Sequence, residues 1–155
     1  MKKSTKSAKR PSSLTDGLSQ LLADTYLLYL KTQNFHWNIG GPHFYSLHKM
    51  FEAQYEELGE AADTIAERIR ALNAPAPGSF SAYLKLTSLE EADAEATDAE
   101  MVTILLCDHE TMGKNLERLF ATADAAGDEV TLDMLITRKA QHDKNAWMLR
   151  STLEQ

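Results

Sequence analysis

From Phe44 to Leu72 the apolar residues fall in steps of three and four without a miss: Phe44, Leu47, Phe51, Tyr55, Leu58, Ala62, Ile65, Ile69 and Leu72. Side chains at those steps lie along one face of an α-helix, whereas a half-buried strand needs strict alternation. A stripe of that length must be covered along its whole extent, and long partner helices are the ready way to cover it. The chain supplies them. Ser13 followed by Asp16 resembles a helix start, and Leu14, Leu18, Leu21, Leu22 and Leu28 carry a first helix up to Gly40-Gly41-Pro42. NAPAPG, residues 73–78, ends the second helix, and SFSAYLKL, 79–86, predicts a short helix within the connection that follows. Thr97 with Glu100 forms a capping box for a third long helix through Met101, Leu105, Met112, Leu116 and Leu119. Gly127 punctuates it, and Asp128 caps a fourth through Leu132, Leu135, Ile136, Trp147 and Leu149.

No strand pattern competes, so the expected fold is all-α: a four-helix bundle with a short helix between helices two and three. Residues 14–155 form that bundle, and residues 1–13, MKKSTKSAKRPSS, lack apolar periodicity and read as a disordered basic arm. A 17.3 kDa chain is long enough for one domain with a sizeable core.

Charge is unevenly distributed. The chain carries −7, yet Lys2, Lys3, Lys6, Lys9 and Arg10 stand in its first ten residues with no acid, so residues 11–155 carry −12. A basic arm ahead of an acidic body raises nucleic acid as a partner. No apolar run approaches the ~18 residues of a membrane span, and no secretory h-region follows the lysines. A single cysteine, Cys107, excludes an intrachain disulfide and suits a reducing cytoplasm. Its place in the run ILLC predicts a buried, inert thiol.

The chemistry gathers beside the core seam of the second helix. His48, Glu52, Glu56, Glu60, Asp63 and Glu67 are spaced by three or four and share one face. Like charges at such spacing repel by roughly 0.2–0.5 kcal/mol per pair, which a bound cation would relieve. A solvated acidic face is the plain alternative. At ~1.5 Å per residue His48 and Asp63 stand about 22 Å apart, too far to share an ion. They therefore read as two half-sites: His36, His48 and Glu52 on one side, Asp63 and Glu67 on the other. An antiparallel copy across a two-fold axis would bring complementary halves together. Two imidazoles with three carboxylates suit Fe(II), Mn(II) or Zn(II) better than Cu(I). The Glu-x-x-His motif of an intrasubunit di-iron bundle is absent, since none of the five histidines has Glu three positions before it.

FHWNIGGPHFYSLHKMFEAQYEELGEAADTIAERIRAL resembles the signature of the Dps miniferritins, the DNA-protection proteins of starved cells. The specific part is HW-N-x-x-G-x-x-F-x-x-L-H followed by D-x-x-A-E-R, and the likeness continues through MVTILLCDHETMGKNL and GDEVTLDMLITRKAQHDKNAWMLRSTL. The resemblance implies a ferritin-like subunit of a hollow homododecamer that oxidises Fe(II), preferentially with hydrogen peroxide, and stores Fe(III) mineral. It implies ferroxidase centres between two-fold-related subunits. His36, His48 and Glu52 would come from one subunit, and Asp63 and Glu67 from its partner. Many members carry Asp where this chain has Glu52, which leaves the ion spacing open. It places Trp37 beside the centre, a core aromatic being the plain reading of that residue. Asp124, Glu129 and Asp133 fall where the family lines its three-fold pores, although acids at a helix start are also favoured by the dipole. Glu56 and Glu60 are candidates to face the cavity and seed mineral. His43, His109 and His142 match no ligand role and read as structural or surface residues. Zn²⁺ or Mn²⁺ are expected substitutes for iron, and the location is cytoplasmic, or nucleoid where DNA is bound. Lys2, Lys3, Lys6, Lys9 and Arg10 resemble in type the basic extensions with which some members hold DNA.

Two competing readings remain at this point. One is a non-enzymatic nucleoid-associated or metal-buffering helical protein. The other is a structural bundle whose histidine-rich turn is a packed corner; His36 and His48 together with Asp63 and Glu67 count against it.

Overall fold

A computed structural model describes residues 13–92 and 95–154. The arm residues Lys2, Lys3, Lys6, Lys9 and Arg10 lie outside the described residues. Five helices follow in order: α1 (Leu14–Asn38), α2 (Phe44–Ala71), α3 (Phe80–Leu86), α4 (Asp98–Ala125) and α5 (Glu129–Leu153). There is no strand among the described residues, and none of their helices is long and apolar enough to cross a membrane.

Each boundary has a local cause. Ser13, Ser79 and Asp128 accept the backbone N–H three residues on, and Thr97 with Glu100 forms the reciprocal capping box. Two helices end in the same C-terminal motif. After α4, Gly127 takes φ +64°, with its N–H on Asp124 O and that of Asp128 on Ala123 O. After α2, Asn73 takes φ +63°, with its N–H on Arg70 O and that of Ala74 on Ile69 O. Glycine and asparagine are the residues that enter this left-handed conformation most readily.

Side-chain register fixes the helix directions. Asp24 lies against Ser88 and Asn115, and Lys31 pairs with Asp108 at 2.6 Å, so α1 and α4 run antiparallel. Arg68 meets Asp128 and Thr131, and Glu57 meets Arg138, so α2 and α5 are antiparallel as well. The α1–α2 and α4–α5 connections are short. It follows that α2 and α4 are parallel, and the segment from 72 to 97, with α3 packed on α1, must return along the bundle. One long crossover is the ferritin-like connection.

Leu18, Leu22, Leu28, Phe35, Phe51, Leu58, Ile65, Ile69, Leu105, Met112, Leu116, Leu135 and Leu149 fill the interior. Three sequence expectations fail here. Ile136 and Trp147 are exposed rather than core residues: an apolar pattern marks a helix, but its members need not all share the inward face of α5. Cys107 is exposed rather than buried, because the apolar run ILLC wraps around α4 and its last residue lands outside the seam. Trp37 is 62% exposed and is not a core aromatic.

His109 and His142 are almost completely buried. His142 Nε2 lies 3.4 Å from Arg138 Nη2, which can only donate, so the imidazole proton sits on Nδ1. That proton bridges 2.8 Å to His109 Nδ1. Arg138 is itself held by Glu57. Burial, with the Arg138 charge adding to it, pulls His109 from 6.5 to about 3. Burial likewise holds His142 well below the usual range, with His109 and Arg138 adding to it. The unfolded imidazoles take up protons as pH falls through 6.5, while the folded ones do not. Stability is therefore complete above 6.5 and is lost as pH falls toward the folded values. We expect unfolding free energy from urea titrations to decline by about 1 kcal/mol per histidine between about pH 6.5 and 5.5, above the ordinary carboxylate range. A flat profile there would show that the pair is not buried neutral.

Candidate metal centre

α1 ends at Asn38, and the chain reverses through Gly40-Gly41-Pro42, where Gly41 adopts φ +86°. Phe44 N–H closes the turn on Gly41 O at 3.1 Å. The reversal sets the last turn of α1 beside the second turn of α2, and with them His36 beside His48. Their rings stack, with centroids 3.8 Å apart and planes 17° from parallel. His36 Nδ1 lies 2.8 Å from the backbone O of His48, and His48 Nδ1 lies 2.8 Å from the backbone O of His36. A carbonyl oxygen only accepts, so both protons must be on Nδ1. Both Nε2 atoms are left with free lone pairs. A second group fixing Nδ1–H is how proteins orient a metal-binding imidazole. Phe44 stacks on His48 at 5.0 Å, and Tyr55 meets His36 edge-on at 5.2 Å.

Glu52 is one turn beyond His48 on α2. Its carboxylate accepts a 2.6 Å bond from Lys49 Nζ. That bond is the largest influence and, with the Lys49 charge adding to it, outweighs burial and holds Glu52 below the usual carboxylate range. Asp63 and Glu67 are exposed farther along the same helix, away from the imidazoles. The structure thus brings His36 and His48 together, turns Glu52 toward Lys49, and leaves Asp63 and Glu67 apart from them. Among the described residues no three His, Cys, Asp or Glu side chains converge on one point.

The other predicted residues are placed as follows. Asp124 ends α4, Glu129 and Asp133 begin α5, and all three are exposed around one turn. Their neighbour Asp128 is instead engaged. Burial alone would raise its carboxyl, but bonds from Thr131 and Arg68 hold it below the usual range. Glu56, Glu60 and His43 are exposed. Lys49, Phe44 and Tyr55 were missed as neighbours of the centre. The three-residue step from Lys49 to Glu52 and the seven-residue step from His48 to Tyr55 were the available signals.

A four-helix bundle with one long crossover, outward-facing carboxylates and an oriented imidazole pair defines a ferritin-like protein. Residues 15–155 match the ferritin-like domain family. A DNA protection during starvation protein 2 from Bacillus anthracis is 37% identical over 138 residues, covering 89% of this chain and 94% of the relative. The crystal structure of a Dps protein from Bacillus brevis superposes with a TM-score of 0.89 at 36% identity, over 91% of this chain and 95% of that one. A Dps protein from Vibrio cholerae O1, described as a member of a broad superfamily of ferritin-like diiron-carboxylate proteins, superposes with a TM-score of 0.88. It is 31% identical, over 91% of this chain and 89% of that one. The chain belongs to the Dps family of miniferritins. The general work of that family is iron storage and DNA protection.

Replacing Lys49 by Ala removes the first cause of the Glu52 shift. The Glu52 carboxyl should then titrate higher, back toward the ordinary range, as followed by carbon NMR; an unmoved titration would mean Lys49 does not hold that carboxylate.

Proposed function

We propose that the protein is a ferroxidase that oxidises Fe(II) with hydrogen peroxide at centres shared by two copies of the chain. Fe(III) mineral is then stored inside a homododecamer. The observation that carries this reading is the reciprocal His36–His48 bonding, which leaves the Nε2 lone pair of each stacked ring unspent where one chain alone lacks a full ligand set. His36, His48 and Glu52 from one subunit face Asp63 and Glu67 of a two-fold copy. The oxygen donors favour the harder Fe(III) that forms, and the imidazoles keep the site selective for a transition ion. Two Fe(II) ions give one electron each to peroxide, and two protons complete two waters, so no hydroxyl radical leaves. Glu52 must exchange Lys49 for the ion, an exchange of one cation for another at an already ionised carboxylate.

Zn²⁺ and Mn²⁺ fit the same donors and are expected to bind competitively. Trp37 stands exposed beside the centre. Asp124, Glu129 and Asp133 would line the entry pores, where rings of acid concentrate cations. The setting is the cytoplasm.

The shared centre has a genetic test. Subunits carrying His48→Ala and subunits carrying Asp63→Ala are each expected to be inactive. A randomly mixed oligomer should regain about a quarter of the wild-type centres, because one of the two sites at each mixed interface keeps every ligand. Stopped-flow ferric absorbance on oligomers shown by mass to be mixed reads the result. No gain over either parent would sink the shared site.

DNA binding is a second part of the reading, favoured by the charge asymmetry. Each body carries −12 and would repel a duplex, while Lys2, Lys3, Lys6, Lys9 and Arg10 can reach past it. Ten extended residues span ~33 Å, well beyond the roughly 8 Å screening length at physiological salt. Several weak arms on one particle bind multivalently. We expect plasmid to be retarded in a gel at ~50 mM salt, independently of sequence, with the shift lost on added salt or on deletion of residues 2–10. Iron oxidation should survive that deletion. Failure of the full-length protein to shift plasmid would remove DNA as a partner.

A further inference from the structure

A row of aromatic rings leads away from the imidazole pair. Tyr55 touches His36, with centroids 5.2 Å apart. Tyr29 meets Tyr55 edge-on at 5.7 Å, and Tyr26 follows Tyr29 at 6.2 Å. Tyr83 of α3 stacks on Tyr26 at 4.8 Å, the planes 21° from parallel. Every step falls within the usual range for interacting rings. Four of the five tyrosines of the chain stand in this one row. Its spacing is written into two helices: 26, 29 and 36 share a face of α1, and 48 and 55 share a face of α2.

Packing alone does not account for the choice of residue. The fully buried aromatic positions of these two helices are Phe35 and Phe51, whereas the row is tyrosine throughout and runs along the outside of the core. Gly59 also bears on it. A Cβ there would come within 3.3 Å of the Tyr29 ring, so the glycine leaves the ring its place against α2. Tyr29 Oη accepts a bond from Gln33 Nε2 and Tyr83 Oη donates to Pro77 O, which fixes the two rings. The row is open near its far end, where Tyr26, the ring before Tyr83, is 41% exposed.

We infer that Tyr55, Tyr29, Tyr26 and Tyr83 form a relay that carries a one-electron oxidising equivalent from the His36–His48 site to the α1–α3 surface. The inference rests on the reading of that site as a place where peroxide oxidises Fe(II). Its occasion is a peroxide that meets one Fe(II) instead of two. That encounter gives Fe(III), hydroxide and a hydroxyl radical. The radical takes the equivalent of a hydrogen atom from Tyr55, giving water and a tyrosyl radical. An electron then passes from each ring to the one before it. The newly oxidised phenol releases its proton to solvent, and the restored one takes a proton back. A later Fe(II) supplies the closing electron: tyrosyl radical, proton and Fe(II) give tyrosine and Fe(III). The sum is two Fe(II) consumed per peroxide, as in the paired reaction, with the oxidant kept off His36 and His48 in between.

The test uses the full-length assembled protein, one Fe(II) per centre, peroxide, and a nitroso spin trap, with trapped sites located by peptide mapping and ferric iron read by absorbance in the same sample. In the wild type, adducts are expected on Tyr26 or Tyr83. Tyr29→Phe keeps the ring but removes the phenol, and should leave ferric yield unchanged while confining adducts to Tyr55. Ferric iron with no tyrosine adduct, or adducts on Tyr26 and Tyr83 that persist in Tyr29→Phe, would overturn the relay alone. No ferric iron in the wild type would overturn the ferroxidase reading and the relay with it.

Discussion

The exchange of two hydrogen bonds between His36 and His48 sets what this molecule can do. Each imidazole gives its Nδ1 proton to the other residue's backbone carbonyl, so the contact joins two side chains and two helices at once. It forms only because α1 and α2 reverse direction over a few residues, with Gly41 in the left-handed region at the bend. The same contact fixes the tautomer of both rings. A ring whose Nδ1 accepted a bond instead would carry its proton on Nε2, and an N–H cannot bind a metal ion.

Electrostatics around the pair point outward along α2. Glu52, Glu56, Glu60, Asp63 and Glu67 repeat at helical spacing, and Lys49 balances only the first of them. The carboxylates on the side toward α5 are treated differently: Glu57 is tied to Arg138, and Arg68 is tied to Asp128. Those pairs hold α2 to α5, whereas the uncompensated stripe lies on the open side. One helix therefore combines a neutralised face that builds the bundle and a charged face that remains available to cations.

Much of this was legible in the chain. The unbroken stripe from Phe44 to Leu72 announced α2, and caps at Ser13, Thr97 and Asp128 located helix starts because each supplies a missing acceptor to free backbone N–H groups. What the sequence did not show was the facing of individual apolar residues. Ile136, Trp147 and Cys107 are members of helical patterns yet lie outside the core, since periodicity gives a helix its stripe without saying how much of the stripe one chain covers. The stacking of His36 on His48 was also hidden. Spacing brought the two near the turn, but the carbonyl partners that fix their protons are backbone atoms, and no side-chain pattern reports them.

The second histidine pair shows why residue type alone could not have chosen between sites. His109 and His142 also lie within hydrogen-bond distance, and they too come from neighbouring helices. Their bond, however, is between the two Nδ1 atoms, so one ring spends its lone pair on the other. His142 then meets Arg138 at its remaining nitrogen, which places a fixed positive charge where a cation would have to approach. Burial keeps both rings neutral but gives them no outward lone pair beside a carboxylate. At the α1–α2 turn the conditions are reversed: backbone carbonyls take the protons, and the carboxylate one turn on, Glu52, is held by the exposed Lys49 rather than by a buried arginine. Four of the five histidines are thus paired, and the atoms to which their protons go separate a pair that keeps both Nε2 lone pairs free from one that spends a lone pair on packing.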